Sequence, residues 1–302
     1  MPDPDPTPLA TAIANLSVWS RDGVRAPHKP LLLLYALARI QRGAARMVPY
    51  CDAEAAIQPL LDAVLPRRGS LVSYPFWNLQ RDGIWQVEGA EHARRRGGNK
   101  EPVLADFRKP HVVGGLTAEH DQWLRAHPAA LIDFARQLLE AHFQETQHDG
   151  LCTRLGLSVA EPQAAPAKVK RARDPVFREL VLRAYEFRCA VCGFDGRIDT
   201  TAVGLEAAHV RMHQAGGPDT LDNGMAMCAI HHTLFDAGVF SLTPGLNVAV
   251  SDLLNRSDET TLLVLRHHGQ PLRGPLPGKS PVAEAHRNWH WVQVFKKPAR
   301  AA

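Results

Sequence analysis

Four metal-competent side chains constrain this chain more than any other feature. They lie in two short bursts, Cys189-Ala-Val-Cys192 and Cys228-Ala-Ile-His231. Cysteines two residues apart form a tight knuckle that presents two thiolates to one ion, and the second burst repeats the spacing with an imidazole in the last place. Three cysteines and one histidine complete a tetrahedral zinc shell, so a structural Zn2+ is expected and the intervening chain must fold back on its start. This set uses His231 and leaves the adjacent His232 without a role.

The remaining cysteines do not suggest another framework. There are five in all, including Cys51 and Cys152, and an odd number suits a reducing compartment better than a disulfide scaffold. The N-terminus, MPDPDPTPLA, is acidic and proline-rich, unlike a secretory signal. The longest apolar run, Leu31 to Ala38, is too short to span a bilayer and ends at Arg39. A cytoplasmic protein with no membrane partner is expected. With 302 residues, 45% hydrophobic and 22% charged, the chain is long enough for about two packed domains. The net charge is only +4, but basic residues gather at Ala93 to Lys100 (ARRRGGNK) and Lys168 to Arg173 (KVKRAR). Such clusters suit a polyanion, of which nucleic acid is the usual one, although either run alone is compatible with a solvated loop.

Apolar periodicity fails over residues 158–175, where Pro, Ala and basic residues accumulate as in a linker. The fold class expected is α+β. An N-terminal mixed helical domain with a β-hairpin occupies residues 1–157, a basic linker 158–174, and a metal-containing domain 175–302. Helices are expected over 7–19, 29–42, 52–65 with an interruption at Pro59, and 117–145. Two β-leaning runs, Leu71 to Leu79 and Ile84 to Val87, flank Arg81-Asp82-Gly83, whose Asp-Gly pair suggests the hairpin turn. A helix over 175–188 leads into the first cysteine pair.

The second half then carries LEAAH, ending at His209, a turn at Asp222-Asn223-Gly224, and CAIHHTLFD from Cys228 to Asp236. Over about residues 175–255 this segment resembles the HNH endonucleases of the ββα-metal class, in the variety with a structural zinc. The resemblance implies that His209 is the general base, that Asn223 holds the loop bearing it, and that His232 holds a catalytic divalent cation, Mg2+ or Mn2+. Such chemistry suits phosphodiester hydrolysis, in which an imidazole takes water's proton and a cation meets the charge on the leaving oxygen. Asp236, four residues after His232, would share a helix face with it and is the favoured second ligand, with Glu206 the alternative. Many members place Asp or His just before the base, where this chain has Ala208. On this reading CAIHH serves two metals.

Two stretches of the N-terminal part, RAPHKPLLLLYAL at Arg25 to Leu37 and SYPFWNL at Ser73 to Leu79, resemble the sulfur-binding domain of McrA-type enzymes that cut phosphorothioated DNA. The resemblance covers about residues 8–150. Sulfur is larger and more weakly hydrated than the oxygen it replaces, so an apolar dimple would accept it while a hydrated oxygen would be costly to strip there. Tyr74 and Pro75 would form the dimple, and His28 and Lys29 its cationic edge. Arg94, Arg95, Arg96 and Lys100 would reach neighbouring phosphates or guanine edges. Phe76 and Trp77 are read as core or support, and the arginines can also be read as a solvated loop.

The function expected is a modification-dependent restriction endonuclease acting on double-stranded, phosphorothioated DNA, with a homodimer admitted. Two alternatives stand beside it. One is an HNH enzyme reading another mark, such as 5-methylcytosine, or plain duplex; the other is a non-catalytic DNA-binding zinc protein.

Overall fold

The computed structural model of the chain describes residues 7–14, 16, 20–21, 24–65, 72–96, 101–159 and 175–301. They fall into two compact units, one drawn chiefly from residues up to Ala165 and the other from Pro166 onward.

The first unit is built on the apolar helix His28–Gln41, whose residues Leu31 to Ala38 are all buried. A segment this apolar on every side must be surrounded by other elements. The helices Ser73–Asn78, Ala118–Ala126, Pro128–His142 and Glu145–Leu155 pack around it. A three-stranded antiparallel sheet places Val113–Leu116 between Val48–Pro49 and Trp85–Glu88. Fully buried Phe76 joins helix to sheet, with its ring edge-on to Tyr50 (5.2 Å), Trp85 (5.6 Å) and Phe107 (5.9 Å). The central strand approaches this cluster at Gly114, where an added Cβ would stand 2.6 Å from the Phe76 ring.

The α+β expectation agrees with this mixture of helices and small sheets, but the hairpin is corrected. SYPFWN is a helix, Ser73–Asn78, followed by a 3-10 turn at Leu79–Asp82. Gly83 is not a hairpin turn residue: at φ +73° it ends the 3-10 turn. Trp85–Glu88 pairs with the distant Val113–Leu116 instead. Alternating aromatic and polar residues favour a strand locally, but burying the Phe76 ring among three others outweighs that preference.

Other boundaries also shift. Pro59 lies inside the unbroken helix Tyr50–Val64. Pro59 and Ala55 are both exposed, so the carbonyl that loses its N–H partner can turn to water. The expected helix over 117–145 divides at His127, which precedes Pro128 and takes φ −125°, ψ 70°, because the ring of a following proline disfavours helical backbone. Glu145–Leu155 is an additional helix. Among the described residues, the first helix covers Thr7–Ala14. The basic run at 168–173 lies outside the described residues. No helix among the described residues is long and apolar enough to cross a membrane.

The second unit opens with the helix Pro175–Ala184, which stops short of 188 because Glu186 and Phe187 adopt left-handed backbone, φ 54° and 53°. Strand Leu205–His209 pairs antiparallel with Gly224–Cys228, in a register that sets Leu205 opposite Cys228 and His209 opposite Gly224. The helix Ala229–Asp236 follows directly, completing a β–β–α unit. The hairpin Phe240–Leu242/Val248–Val250 and the helix Glu284–Gln293 close over its far side.

His290 locks these pieces together. Its ring stacks on Phe235 at 3.6 Å, and its Nε2 donates to the Phe235 carbonyl at 3.1 Å. That tautomer leaves Nδ1 to accept from the Ser241 hydroxyl at 2.8 Å. Burial keeps the ring neutral, pushing its pKa from 6.5 down to about 3. The unfolded chain therefore takes up a proton that the folded one refuses. Stability from this site is complete above about pH 6.5 and is lost as pH falls toward 3. Between pH 7 and pH 5 the second unit should lose about 2 kcal/mol through His290. Thermal melts at the two pH values should show the loss, and it should shrink in His290→Gln.

Candidate active site and DNA-contact residues

Cys189 follows the left-handed turn of Phe187 and receives a tight loop, its N–H donating to Phe194 (2.8 Å) and its carbonyl accepting from Gly193 (2.9 Å). Gly193, at φ +78°, makes the reversal after Cys192. Cys228 ends its strand and is the residue before the first turn of the helix Ala229–Asp236, which presents His231 to the thiols. One donor atom from each of Cys189, Cys192, Cys228 and His231 lies within 4.8 Å of all the others.

The donor set fits a metal ion. Tetrahedral bonds of about 2.3 Å to sulfur and 2.05 Å to nitrogen require S···S edges of about 3.8 Å and S···N edges of about 3.6 Å. Here Cys192 and Cys228 sulfurs are 4.0 Å apart, and His231 Nδ1 is 3.7 Å from Cys189 and 3.1 Å from Cys228. His231 Nε2 donates to the Leu263 carbonyl at 3.0 Å, fixing the tautomer whose Nδ1 lone pair faces the thiols. Hydrogen bonds from Cys192 and Cys228 pull the Cys189 thiol far down, and the same sharing pushes Cys228 up. Burial alone would lower the His231 pKa, but the neighbouring thiolates outweigh it and raise it to about 9. A cation would relieve this crowding by taking all three sulfurs as thiolates.

His209 ends the strand Leu205–His209. Its ring lies flat on Phe177, 4.2 Å away at 16°, and its Nε2 is 2.7 Å from Asp219 Oδ1. Asn223 is fully buried and binds the next loop across its neck. It accepts from Arg211 N–H (2.7 Å) and donates to the carbonyls of Arg211 (3.0 Å) and Pro218 (2.9 Å). The loop is drawn so close that a Cβ on Gly217 would stand 1.9 Å from the Arg211 carbonyl oxygen.

His232, one residue along the helix from His231, faces another group. Its Nδ1 is 2.5 Å from Glu206 Oε2 and its Nε2 is 3.4 Å from Asp236 Oδ2. The two carboxylates therefore flank opposite edges of the ring. Asp236 and His232 are buried, whereas Glu206 is partly exposed.

In the first unit, Tyr74 is exposed on the helix Ser73–Asn78, while Pro75 beside it is buried. The edge of His28 meets the Tyr74 ring, with centroids 6.3 Å apart. Burial lowers the His28 pKa, and its Nδ1 is shielded from solvent without a hydrogen-bond partner. Lys29 departs from expectation. Its ammonium is not on the surface but is paired with Asp82 at 2.5 Å, both side chains almost fully buried. Charges this close and this dry satisfy each other, so a phosphate would have to displace a buried carboxylate.

The arginines are individually held. Arg94 reaches Asp106 through Nε at 3.0 Å, and Lys109 shares that carboxylate at 3.1 Å. Hydrogen bonds from Arg94, then Lys109, hold the Asp106 carboxyl well below the usual range. Arg95 lies over the Trp77 ring at 4.4 Å and donates to the Ala90 carbonyl at 2.8 Å. The backbone of Arg96 pairs with Glu101, and Lys100 lies outside the described residues. Sequence reasoning read Asp82 only as a turn residue and passed over Asp106, Asp219 and Phe177; all four make contacts across the fold that carry no spacing signal.

Comparison with known proteins follows the same division. A ScoMcrA-like DNA sulfur-binding domain model matches residues 6–160, slightly more than half of the chain, and an HNH endonuclease model matches residues 189–243. Among solved structures, the sulfur-binding domain of ScoMcrA complexed with phosphorothioated DNA is 27% identical, covering 48% of this chain and 96% of that one, with a TM-score of 0.43. The corresponding SprMcrA complex is 24% identical, covering 52% and 98%, with a TM-score of 0.43. The type IV phosphorothioation-dependent restriction endonuclease ScoMcrA is 25% identical, with a TM-score of 0.41 over 50% of this chain but only 29% of that one. No curated protein matches the chain. This chain belongs to the family of the ScoMcrA-like DNA sulfur-binding domain and carries an HNH endonuclease domain after it.

Proposed function

We propose that this protein is a modification-dependent restriction endonuclease that docks on phosphorothioated duplex DNA through residues 1–157 and hydrolyses phosphodiester bonds through residues 175–302, with 158–174 as a linker. The observation that carries this reading is the joining of a sulfur-binding family domain to a β–β–α unit bearing His209, Asn223 and His232. It acts in the cytoplasm, and a homodimer would suit a duplex substrate.

His209 is the general base, taking a proton from the water that attacks phosphorus. Asn223 holds the adjoining loop. His232 and Asp236 hold a divalent cation, Mg2+ or Mn2+, which when bound supplies charge stabilisation for the leaving oxygen. Glu206, as acceptor of the His232 Nδ1 proton, turns the Nε2 lone pair toward Asp236. Cys189, Cys192, Cys228 and His231 hold a structural Zn2+. On the DNA-reading side, Tyr74 presents an exposed ring next to buried Pro75, and His28 supplies a polar edge whose Nδ1 lacks a partner. Arg94 and Arg95 approach phosphates, Asp106 and Trp77 setting their directions. Arg96 and Lys100 extend the same basic run. Lys29 serves through Asp82, fixing the helix that bears His28 against the 3-10 turn that follows the Tyr74 helix.

His209→Ala should lower the cleavage rate about 10²- to 10⁴-fold while leaving DNA affinity intact, because the base is separate from the reader. Cleavage at the wild-type rate would remove the base assignment. The metal reading is checked by elemental analysis: about one zinc per chain is expected, and Cys189→Ser or Cys228→Ser should unfold the second unit. Active protein without zinc would exclude it. Titration of matched duplexes at fixed salt should show strong preference for the phosphorothioated one, and Tyr74→Ala should abolish most of that preference. Equal affinities for sulfur and oxygen would instead favour another mark or plain duplex, leaving the nuclease reading in place.

A further inference from the structure

The group facing the candidate base is an acid that the function above does not use. Asp219 Oδ1 is 2.7 Å from His209 Nε2, with the imidazole 15% exposed and the carboxylate 36%. The contact is held from both sides. Phe177 supports the flat of the His209 ring at 4.2 Å. The residue before Asp219, Pro218, has its carbonyl bound by fully buried Asn223, which also binds Arg211 on the strand side of the loop. Gly217, with no room for a Cβ, lets the chain close there. Among the described residues, the exposed His213 is a further titratable ring beside His209, with centroids 5.9 Å apart.

We propose that Asp219 is a positioning residue for the base. This rests on the reading of His209 given above. The Asp219 carboxylate accepts from Nε2–H and holds the neutral ring in the tautomer whose lone pair lies on Nδ1. In the reaction a water O–H bond breaks and its proton goes to Nδ1. The water oxygen bonds to phosphorus, and the bond from phosphorus to the leaving oxygen breaks with its electron pair. The ring becomes an imidazolium beside an anion already in place, as in the histidine–aspartate pair of serine hydrolases. Asn223 acts at one remove: by clamping the loop it sets the carboxylate as well as the strand end.

The test uses the full chain, Mn2+ and a duplex carrying one phosphorothioate linkage, in single-turnover cleavage across pH. Asp219→Asn should lower the rate about 10- to 100-fold without weakening DNA binding, and Asp219→Glu should restore part of it. Because a neighbouring anion favours the charged ring, the acid limb of the rate profile should move to lower pH in Asp219→Asn. A readout independent of cleavage is the titration of the His209 ring by NMR in the free protein, assigned by its loss in His209→Ala. Its midpoint should fall by about one pH unit in Asp219→Asn. An unchanged midpoint, an unchanged or faster rate, or weaker DNA binding at an unchanged rate would each overturn the proposal. If His209→Ala itself cleaves normally, the base reading fails, whatever Asp219 does.

Discussion

The convergence of three thiols and an imidazole, a set that could share one cation, organises the second unit. Cys189 belongs to a loop after a helix, whereas Cys228 is at once the end of a strand, the entry to a helix and a candidate ligand. Bringing these together fixes where the helix Ala229–Asp236 begins, and therefore the direction in which His232 and Asp236 leave it. The same strand end is registered against Leu205, so the partner strand must deliver His209 opposite Gly224. A metal bound there would add folding free energy at the same short segment that carries the candidate ligands and His232.

The first unit is organised by burial instead. A helix apolar on every side demands a complete shell, and Phe76 links that shell to the sheet. Tyr74 and Pro75 directly precede this anchor on the same short helix, so core packing dictates that Tyr74 faces outward. The Lys29–Asp82 pair then ties the helix carrying His28 to the turn that follows. Removing one partner would leave a buried charge uncompensated, a cost of about 3–5 kcal/mol, so its consequence lies in the geometry of the unit before any effect on ligand charge.

How much of this was legible in the sequence follows from the range of each interaction. The ligand spacing, the helix around Leu31–Ala38 and the turn at Asn223 are local patterns and were readable. SYPFWN was misread as a strand because its alternation is real, but the decisive contacts come from Tyr50, Trp85 and Phe107, remote in sequence. The same limit applies to charge. Lys29 and Arg94 look alike in a basic stretch of sequence, yet one is buried against Asp82 and the other remains mostly exposed beside Asp106. A charge run records which groups are present, whereas their availability depends on carboxylates brought in by other elements.

The histidines make the point most sharply, because an imidazole's task is set by whatever occupies its other nitrogen. His231 gives Nε2–H to the Leu263 carbonyl and so turns Nδ1 to the thiols. His290 gives Nε2–H to Phe235, accepts from Ser241 and is left with a purely structural task. His232 has Glu206 at Nδ1 and Asp236 at Nε2, an arrangement that can aim one lone pair at a cation only if Glu206 takes the proton. His209 has Asp219 at Nε2, and a proton donated there would leave Nδ1 as the accepting nitrogen. Four rings of one chemical kind thus acquire four different settings from a carbonyl, a hydroxyl or a carboxylate brought against them. Sequence spacing can name the histidines; only the fold chooses which nitrogen of each one acts.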